Sequence, residues 1–336
     1  MKALLLDRPS KIEERPLRLS EVSIPTQAET EILVKVEACG VCRTDLHVVE
    51  GDLKQVRSPV IPGHEIVGRV AKVGREVRNL KVGDVVGVPW LHKTCGRCEF
   101  CLSGRENLCE RKEFTGYSVD GGYAEYVVAD ANYSFKLPSD VDPVAFAPLL
   151  CAGIIGYRSF KMTNAPKNGR IALFGFGASA HIITQLMVKM GYGVIGISNS
   201  EQHVELARKL GASEAYASKE SYKNIAKCDS AVVFAPVGEL VLEALSILKP
   251  GGRAVIAGIH MSTIPPIDYD RLLFNERGIV SVEANTREDA SEFLELAAKF
   301  GIKSAYNKMP FNRANEALQE LKAGKVNGVN VLSGWT

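Results

Sequence analysis

Cys42, Thr44, Asp45 and His47 stand together in GVCRTDLH, and the pair His64-Glu65 follows about twenty residues later in SPVIPGHEIVG. Thiolate and imidazole suit a borderline-soft cation such as Zn²⁺, and a catalytic zinc takes three protein ligands so that its fourth position stays open for substrate. A third ligand is needed. The best candidate is Cys151, a lone cysteine opening the apolar run CAGIIGY. Taken singly, Cys151 is as well explained as a buried core cysteine and His64 as a histidine in a tight turn. Glycine and proline punctuate all these stretches, which predicts loops for the chemistry-bearing residues.

A second group is more compact. Cys95, Cys98, Cys101 and Cys109 are spaced C-x2-C-x2-C-x7-C. Two-residue gaps let successive thiolates curl around one tetrahedral ion, and the longer gap returns the fourth. Four sulfurs close the coordination, so this group reads as a structural zinc. An iron–sulfur cluster also accepts four cysteines, but nothing nearby suggests electron transfer.

The elements that must position these residues alternate in character. ETEILVKVEACG and GHEIVGRVAKVG have the period-two pattern of strands, with Pro, Gly and Asp where strands must turn, and predict a small barrel or sandwich. From Asp142 the sequence turns helix-like and apolar, then gives the strand IALF, Gly175-Phe176-Gly177-Ala178-Ser179-Ala180, the helical run HIITQLMVKMG and the strand GVIGI. Strand, glycine turn, helix and strand form a βαβ unit, and further alternation predicts a parallel sheet covered by helices. Gly175 makes the tight turn, Gly177 admits a pyrophosphate, and the helix headed by Ala178 and Ser179 offers amide donors to that anion. Ala180 replaces the third glycine, whose job is close packing. The second strand ends at Ser198-Asn199-Ser200, where an NAD-selective site offers an acid to the ribose. No acid stands there, which permits NADP or dual use. Ser198 with Glu201 also reads as a capping box for the next helix.

Length and composition bound the rest. A chain of 336 residues suggests two domains, and a formal net charge of +2 without a basic run points away from nucleic acid and from an anionic membrane surface. Apolar runs stop short of a membrane span, and Met1-Lys2-Ala3-Leu4 leads into Asp7 and Arg8 without a signal-peptide core, so a cytoplasmic protein is expected. In that setting eight cysteines are better explained by metal than by disulfides.

With these pieces in place the chain resembles the zinc-dependent medium-chain alcohol dehydrogenases over essentially its whole length. The resemblance rests on GVCRTDLH at 40–47, GHEIVGRV at 63–70, the four-cysteine lobe, LLCAGIIGYR at 149–158, GFGASAH at 175–181 and AGKVNG at 323–328. It implies an α/β protein with a GroES-like β-rich catalytic domain at 1–152 and 287–336, carrying a structural zinc lobe at 91–112. A Rossmann domain with a doubly wound parallel sheet is implied at 153–286. It further implies Cys42, His64 and Cys151 as catalytic-zinc ligands with Glu65 as a transient ligand, Asp45 behind them, Arg43 at the cofactor pyrophosphate and Trp90 on the substrate pocket. Ile155 and Val329 depart from a threonine and an arginine that many members place against the cofactor. The expected activity is reversible hydride transfer between an alcohol and NAD or NADP, giving an aldehyde or ketone. Thr44 takes the alcohol proton and passes it, by way of the cofactor ribose, to His47. A homodimer or homotetramer is implied, with the RAVIAGI and GIVSVEA strands as pairing edges. Two other readings stay open: a zinc-free quinone or enone reductase, which would lack the metal ligands, and a non-enzymatic cofactor-binding protein. Cys39 and Cys228 have no assigned role.

Overall fold

The computed structural model of the chain describes residues 1–217, 219–222 and 225–335, with residues 219 and 220 described by backbone alone. Two compact units are present, one of Met1–Cys151, Ala284–Ser291 and Lys303–Thr336, the other of Ala152–Glu283 and Glu292–Ile302.

In the first unit β1 (Lys2–Leu6) and β2 (Leu17–Glu21) pair antiparallel. The long strand β3 (Glu31–Gly40) is followed by helix α1 (Arg43–Glu50) and then by β4 (Glu65–Val73). β3 and β4 pair antiparallel with Gly40 opposite Glu65 and Cys39 opposite Ile66. That register brings the chain just after β3 level with the chain just before β4. It thereby places Cys42 near His64 although the two are far apart in sequence. β5 (Val85–Val88) extends the sheet, and β6 (Leu91–Lys93), α2 (Glu99–Leu102) and β7 (Glu113–Phe114) frame the cysteine lobe. β8 (Tyr126–Asp130), β9 (Phe135–Lys136) and α3 (Pro143–Phe146) complete this stretch. Alternating residues of these strands, among them Ile32, Val34, Ile66, Val70, Val86 and Val88, are buried in one core.

The second unit runs α4 (Ala152–Thr163), β10 (Arg170–Phe174), α5 (Ala178–Lys189), β11 (Gly193–Ile197), α6 (Glu201–Lys209), β12 (Glu214–Tyr216), α7 (Lys219–Tyr222), β13 (Cys228–Val233), α8 (Glu239–Ser246), β14 (Leu248–Ile256) and β15 (Gly278–Ser281). All six strands are parallel in the order β12-β11-β10-β13-β14-β15. The order reverses between β10 and β13, which opens a crevice at their carboxyl ends. Phe174, Ile195, Val233, Leu245 and Leu248 belong to one core cluster packed against the near-continuous apolar strands. Of the two strands expected to be pairing edges, β14 is interior, held between β13 and β15, and only β15 has an open side. The reason is ordinary: a parallel sheet grows outward by right-handed crossovers, so the last strand ends at the rim.

Helix α9 (Arg287–Phe300) is divided between the units, and β16 (Tyr306–Met309), α10 (Ala314–Lys322) and β17 (Val329–Leu332) return to the first. β17 pairs with β3 at Cys39 and Gly40, so the first unit's seven-stranded sheet is completed by the end of the chain. Among the described residues no single helix is long and apolar enough to cross a membrane.

Candidate active site

The residues from Arg43 to Glu50 form a helix rather than the loop that the glycine punctuation predicts. Cys42 is its N-cap, and Asp45, at the third helical position, accepts a hydrogen bond from the Cys42 amide at 2.9 Å. This is the reciprocal logic of a capping box written in Cys and Asp. Gly51, left-handed at φ 83°, ends the helix. On α1, Thr44 and His47 are three residues apart and share a face.

The second donor-bearing segment is set by Gly63, at φ 96°, which turns the chain so that His64 leads into β4. Cys151 follows the 3-10 turn Ala147–Leu150, whose Leu150 is buried against Gly87 of β5, where a Cβ would fall 2.4 Å from the leucine. These three segments converge. Donor atoms of Cys42, His64, Glu65 and Cys151 all lie within 4.8 Å of one another. The sulfurs of Cys42 and Cys151 are 3.9 Å apart. Glu65 lies directly over Gly40, where any Cβ would stand 1.9 Å from its Oε2.

Asp45 organises this cluster from behind. It is 1% exposed and its Oδ1 lies 2.7 Å from Nδ1 of the fully buried His64, while its Oδ2 also accepts from Tyr123 Oη at 3.2 Å. With Nδ1–H donated to Asp45, Nε2 is the nitrogen left for a cation, which would take it in exchange for a proton. Nε2 is buried with no hydrogen-bond partner among the described residues. Two thiols and an orphaned imidazole nitrogen are the donor set of a catalytic zinc, so the residues fit that ion. Electrostatics agree. The hydrogen bond from Cys151 holds the Cys42 thiol well below its ordinary range against burial, with help from His64, and the same bond together with burial pushes Cys151 well above it. Burial opposes charge on His64, but Asp45 and Cys42 outweigh it and hold its pKa well above the usual value. Burial raises the Tyr123 phenol, with Asp45 adding to the effect, so the hydroxyl remains a donor.

Trp90 is 8% exposed, with its ring edge-on to His64 at 4.9 Å and stacked on Phe114 at 4.6 Å and Tyr117 at 5.9 Å. Thr44 is buried. His47 is half-buried on α1, with Nδ1 2.7 Å from Oδ2 of Asp52, whose carboxylate is 44% exposed. Arg43 is exposed and donates to the Leu321 carbonyl at the end of α10.

Cys95, Cys98, Cys101 and Cys109 form the other donor cluster, again within 4.8 Å. The Arg97 amide draws the Cys95 thiol down to about 5, and the Cys98 amide assists. Cys101 lies 3.4 Å from Thr94 Oγ1, which is 2.6 Å from the Tyr133 hydroxyl, and Arg287 lies over the Tyr133 ring at 4.8 Å. Glu106 in the lobe accepts from both the backbone amide and the side chain of Arg287, tying the lobe to the first turn of α9.

In the second unit Gly175 is left-handed at φ 89°, and a Cβ there would stand 2.8 Å from the Ala235 nitrogen. Gly177 caps α5 and faces open space, ahead of Ala178 and Ser179, while Ala180 is fully buried, as close helix packing requires. His181, one residue on, is 1% exposed, and burial drives its pKa down to about 4. Beyond β11 the expected capping box is not formed. The helix begins at Glu201 with Ser200 as N-cap, and Ser198 Oγ instead accepts from the Ser200 amide at 3.3 Å and pairs with His203 Nδ1 at 3.3 Å. Asn199 completes the triplet. His203 was not singled out by motif, although its place in the first turn after the second strand is the signal that could have found it. Tyr123 and Asp52 were likewise not identified, since neither lies in a ligand motif. Ile155 is half-buried on α4, and Val329 is buried at the start of β17.

Residues 28–139 match the family model "Alcohol dehydrogenase GroES-like domain", and residues 179–299 match "Zinc-binding dehydrogenase". The Mycobacterium tuberculosis protein described as "Probable alcohol dehydrogenase AdhA" is 44% identical over 99% of this chain and 97% of its own length. Among solved structures, an alcohol dehydrogenase from Aeropyrum pernix is similar with a TM-score of 0.89 and 29% identity, covering 99% of this chain and 100% of that one. A cobalt- and zinc-bound thermostable alcohol dehydrogenase from Pyrobaculum aerophilum gives a TM-score of 0.90 and 26% identity, covering 99% of each chain.

Proposed function

The chain belongs to the zinc-binding alcohol dehydrogenases of the medium-chain dehydrogenase/reductase family, and on that premise we propose that Cys42, His64 and Cys151 hold its catalytic zinc. It is an NAD(P)-dependent oxidoreductase acting on small-molecule alcohols, with aldehydes or ketones as substrates in reverse. A zinc-free reductase and a non-enzymatic binding protein are not favoured by these relatives. The observation that carries the ligand assignment is the convergence of three distant segments on one point beside the buried His64, whose Nε2 is unpartnered among the described residues. Glu65 stands by as an exchange ligand, and Cys95, Cys98, Cys101 and Cys109 hold a structural zinc.

When bound, the catalytic zinc supplies Lewis acidity that makes an alcohol hydroxyl ionisable near neutral pH. The chain's own residues do the rest. Asp45 fixes the tautomer and direction of His64. Trp90, stacked on Phe114 and Tyr117, forms an apolar wall that orients substrate and excludes water. The Thr44 hydroxyl accepts the substrate proton while releasing its own towards His47 on the same helix face. With Nδ1–H donated to Asp52, His47 presents Nε2 as its basic atom, and the exposed Asp52 carboxylate leads to solvent.

Gly175, Gly177, Ala178 and Ser179, with the amides of α5, bind the cofactor pyrophosphate, and Arg43 adds a cation. Ser198, Asn199 and Ser200 meet the adenosine ribose, and without an acid among them NADP is accepted, alone or alongside NAD. The rim strand β15, preceded in sequence by the exposed Tyr269 and Phe274, supports a homodimer or homotetramer that pairs this edge with a second copy. The cysteines are all unpaired as disulfides, in keeping with work in the reducing cytoplasm. The domain limits follow the same reading, with the catalytic domain at 1–152 and 287–336 and the cofactor domain at 153–286. Steady-state assays at 340 nm on zinc-loaded protein, with a panel of primary, secondary and aromatic alcohols and each cofactor in turn, test the whole. Turnover with a kcat/KM for NADP at least equal to that for NAD is expected; strict NAD dependence would overturn the assignment of the serine and asparagine triplet.

A further inference from the structure

Cys42 and His64 come from segments that flank the paired ends of β3 and β4, and besides Asp45 a side chain that reaches both segments is that of Tyr123. Its backbone belongs to the stretch Gly121–Tyr123, which lies on the His64 loop: Gly121, Gly122 and Tyr123 donate to the carbonyls of Ile61, Gly63 and Pro62 at 2.7, 2.9 and 2.9 Å. The approach is possible because Gly121 has no Cβ, which would stand 2.1 Å from the Gly63 oxygen. The Tyr123 ring then lies against Gly63, where a Cβ would meet it at 2.4 Å, and its hydroxyl continues to Asp45 on α1. Tyr123 is 0% exposed. A hydroxyl so buried is costly unless it is bonded, and phenylalanine would fill the same space without that cost. Asp45 Oδ2 thus takes one donor from the Cys42 amide and one from Tyr123, leaving Oδ1 to His64.

We infer that Tyr123 is a positioning residue of the buried metal site: its ring on Gly63 and its hydroxyl on Asp45 hold Cys42 and His64 at the separation, and His64 in the tautomer, that the ion requires. The inference rests on the assignment of Cys42, His64 and Cys151 as zinc ligands. Two donors on one carboxylate oxygen lock the rotation of the Asp45 carboxylate, and a locked acceptor keeps the His64 proton on Nδ1 before any metal arrives.

The test is zinc competition against a chromophoric chelator on the full chain, unsubstituted and Tyr123→Phe. Two zincs per chain are expected in both, with the buried site of Tyr123→Phe weakened at least about tenfold, the scale of losses for groups that orient ligands, and the four-cysteine site unchanged. With cobalt in the buried site, the visible absorption bands shift in the variant. Histidine spectra of the unsubstituted, zinc-free protein need no substitution and should show a His64 Nδ1–H proton in slow exchange with water, held on Asp45. A His64 Nδ1–H lost to fast exchange with water, or a Tyr123→Phe protein that binds two zincs with unaltered affinity and cobalt spectrum, would overturn the role of Tyr123 alone. A loss of thermal stability without either change would do the same. An unsubstituted chain that takes up one zinc only, at the four cysteines, would remove the ligand assignment and the role of Tyr123 with it.

Discussion

In the lobe, four donor cysteines come from the fifteen consecutive residues Cys95 to Cys109; at the proposed catalytic site, Cys42, His64 and Cys151 are spread over more than a hundred. The lobe cysteines find their partners within or beside the lobe, such as the Arg97 amide for Cys95 and Thr94 for Cys101. The buried site depends on the β3–β4 register, on Gly63, on Leu150 against Gly87, and on Asp45. A closed site needs only local geometry. A site that must keep one position open has to be held apart by the fold, because ligands on a short flexible loop would collapse around the ion.

The sharpest way to break this contrast is to remove one ligand from each cluster. His64→Ala should lower kcat/KM by roughly a thousandfold, several kcal/mol of transition-state stabilisation, and leave one zinc per chain by elemental analysis. Two zincs with near-normal turnover would end the ligand assignment. Next in size, Thr44→Ala should retain both zincs and lose about a hundredfold in kcat, with Thr44→Ser restoring most of it; equal rates for the two variants would exclude proton transfer by the hydroxyl. Cys98→Ser should act on stability first, lowering the apparent melting midpoint by roughly 10 °C while the surviving folded protein turns over. Scanning calorimetry beside an assay at low temperature separates these effects, and an unchanged midpoint would deny the lobe a structural role.

The smallest effect concerns a buried histidine outside both clusters. His64 has Asp45 to support its charge, whereas His181 has a carbonyl of Gly177 at 3.2 Å and a pKa near 4. Its folded pKa lies below the ordinary 6.5, so the unfolded chain binds the extra proton first. The folded state therefore keeps its full stability above about pH 6.5 and loses up to about 3 kcal/mol as pH falls towards 4. In His181→Gln, urea midpoints between pH 7 and 5 should fall less steeply than in the unsubstituted protein; parallel slopes would exclude His181 as the source.

The contrast between the clusters also explains what the sequence disclosed. C-x2-C-x2-C-x7-C is legible because ligand spacing and structure are the same thing there. The parallel sheet was legible because its buried strands and covering helices alternate in apolar blocks, with Gly175 and Gly177 at the turn. Helix α1 was not, because its cap is Cys42 with Asp45 rather than a Ser or Thr with Glu, and eight residues between glycines carry little periodicity. At Ser198 the opposite error arose: a serine three residues before a glutamate matched the motif, but the helix starts two residues too late to use it. β16 escaped notice because three of its four residues are exposed and no alternation marks it. Tyr123 could not be singled out at all, since its partners Gly63 and Asp45 become neighbours only once β3 and β4 have paired.

The closing of the first sheet by β17 has a consequence for biosynthesis. On the ribosome, β3 and β4 emerge early, but the edge of β3 at Cys39 and Gly40, next to the ligand Cys42, waits for Val331 and Leu332 at the far end of the chain. At ordinary rates of translation that wait is on the order of half a minute. During it the second unit, whose parallel sheet comes almost wholly from one continuous stretch, can fold to completion. The nascent protein therefore completes its parallel-sheet unit before the sheet of its first unit is finished, and truncation of the last few residues should strand it as an edge-exposed, aggregation-prone intermediate.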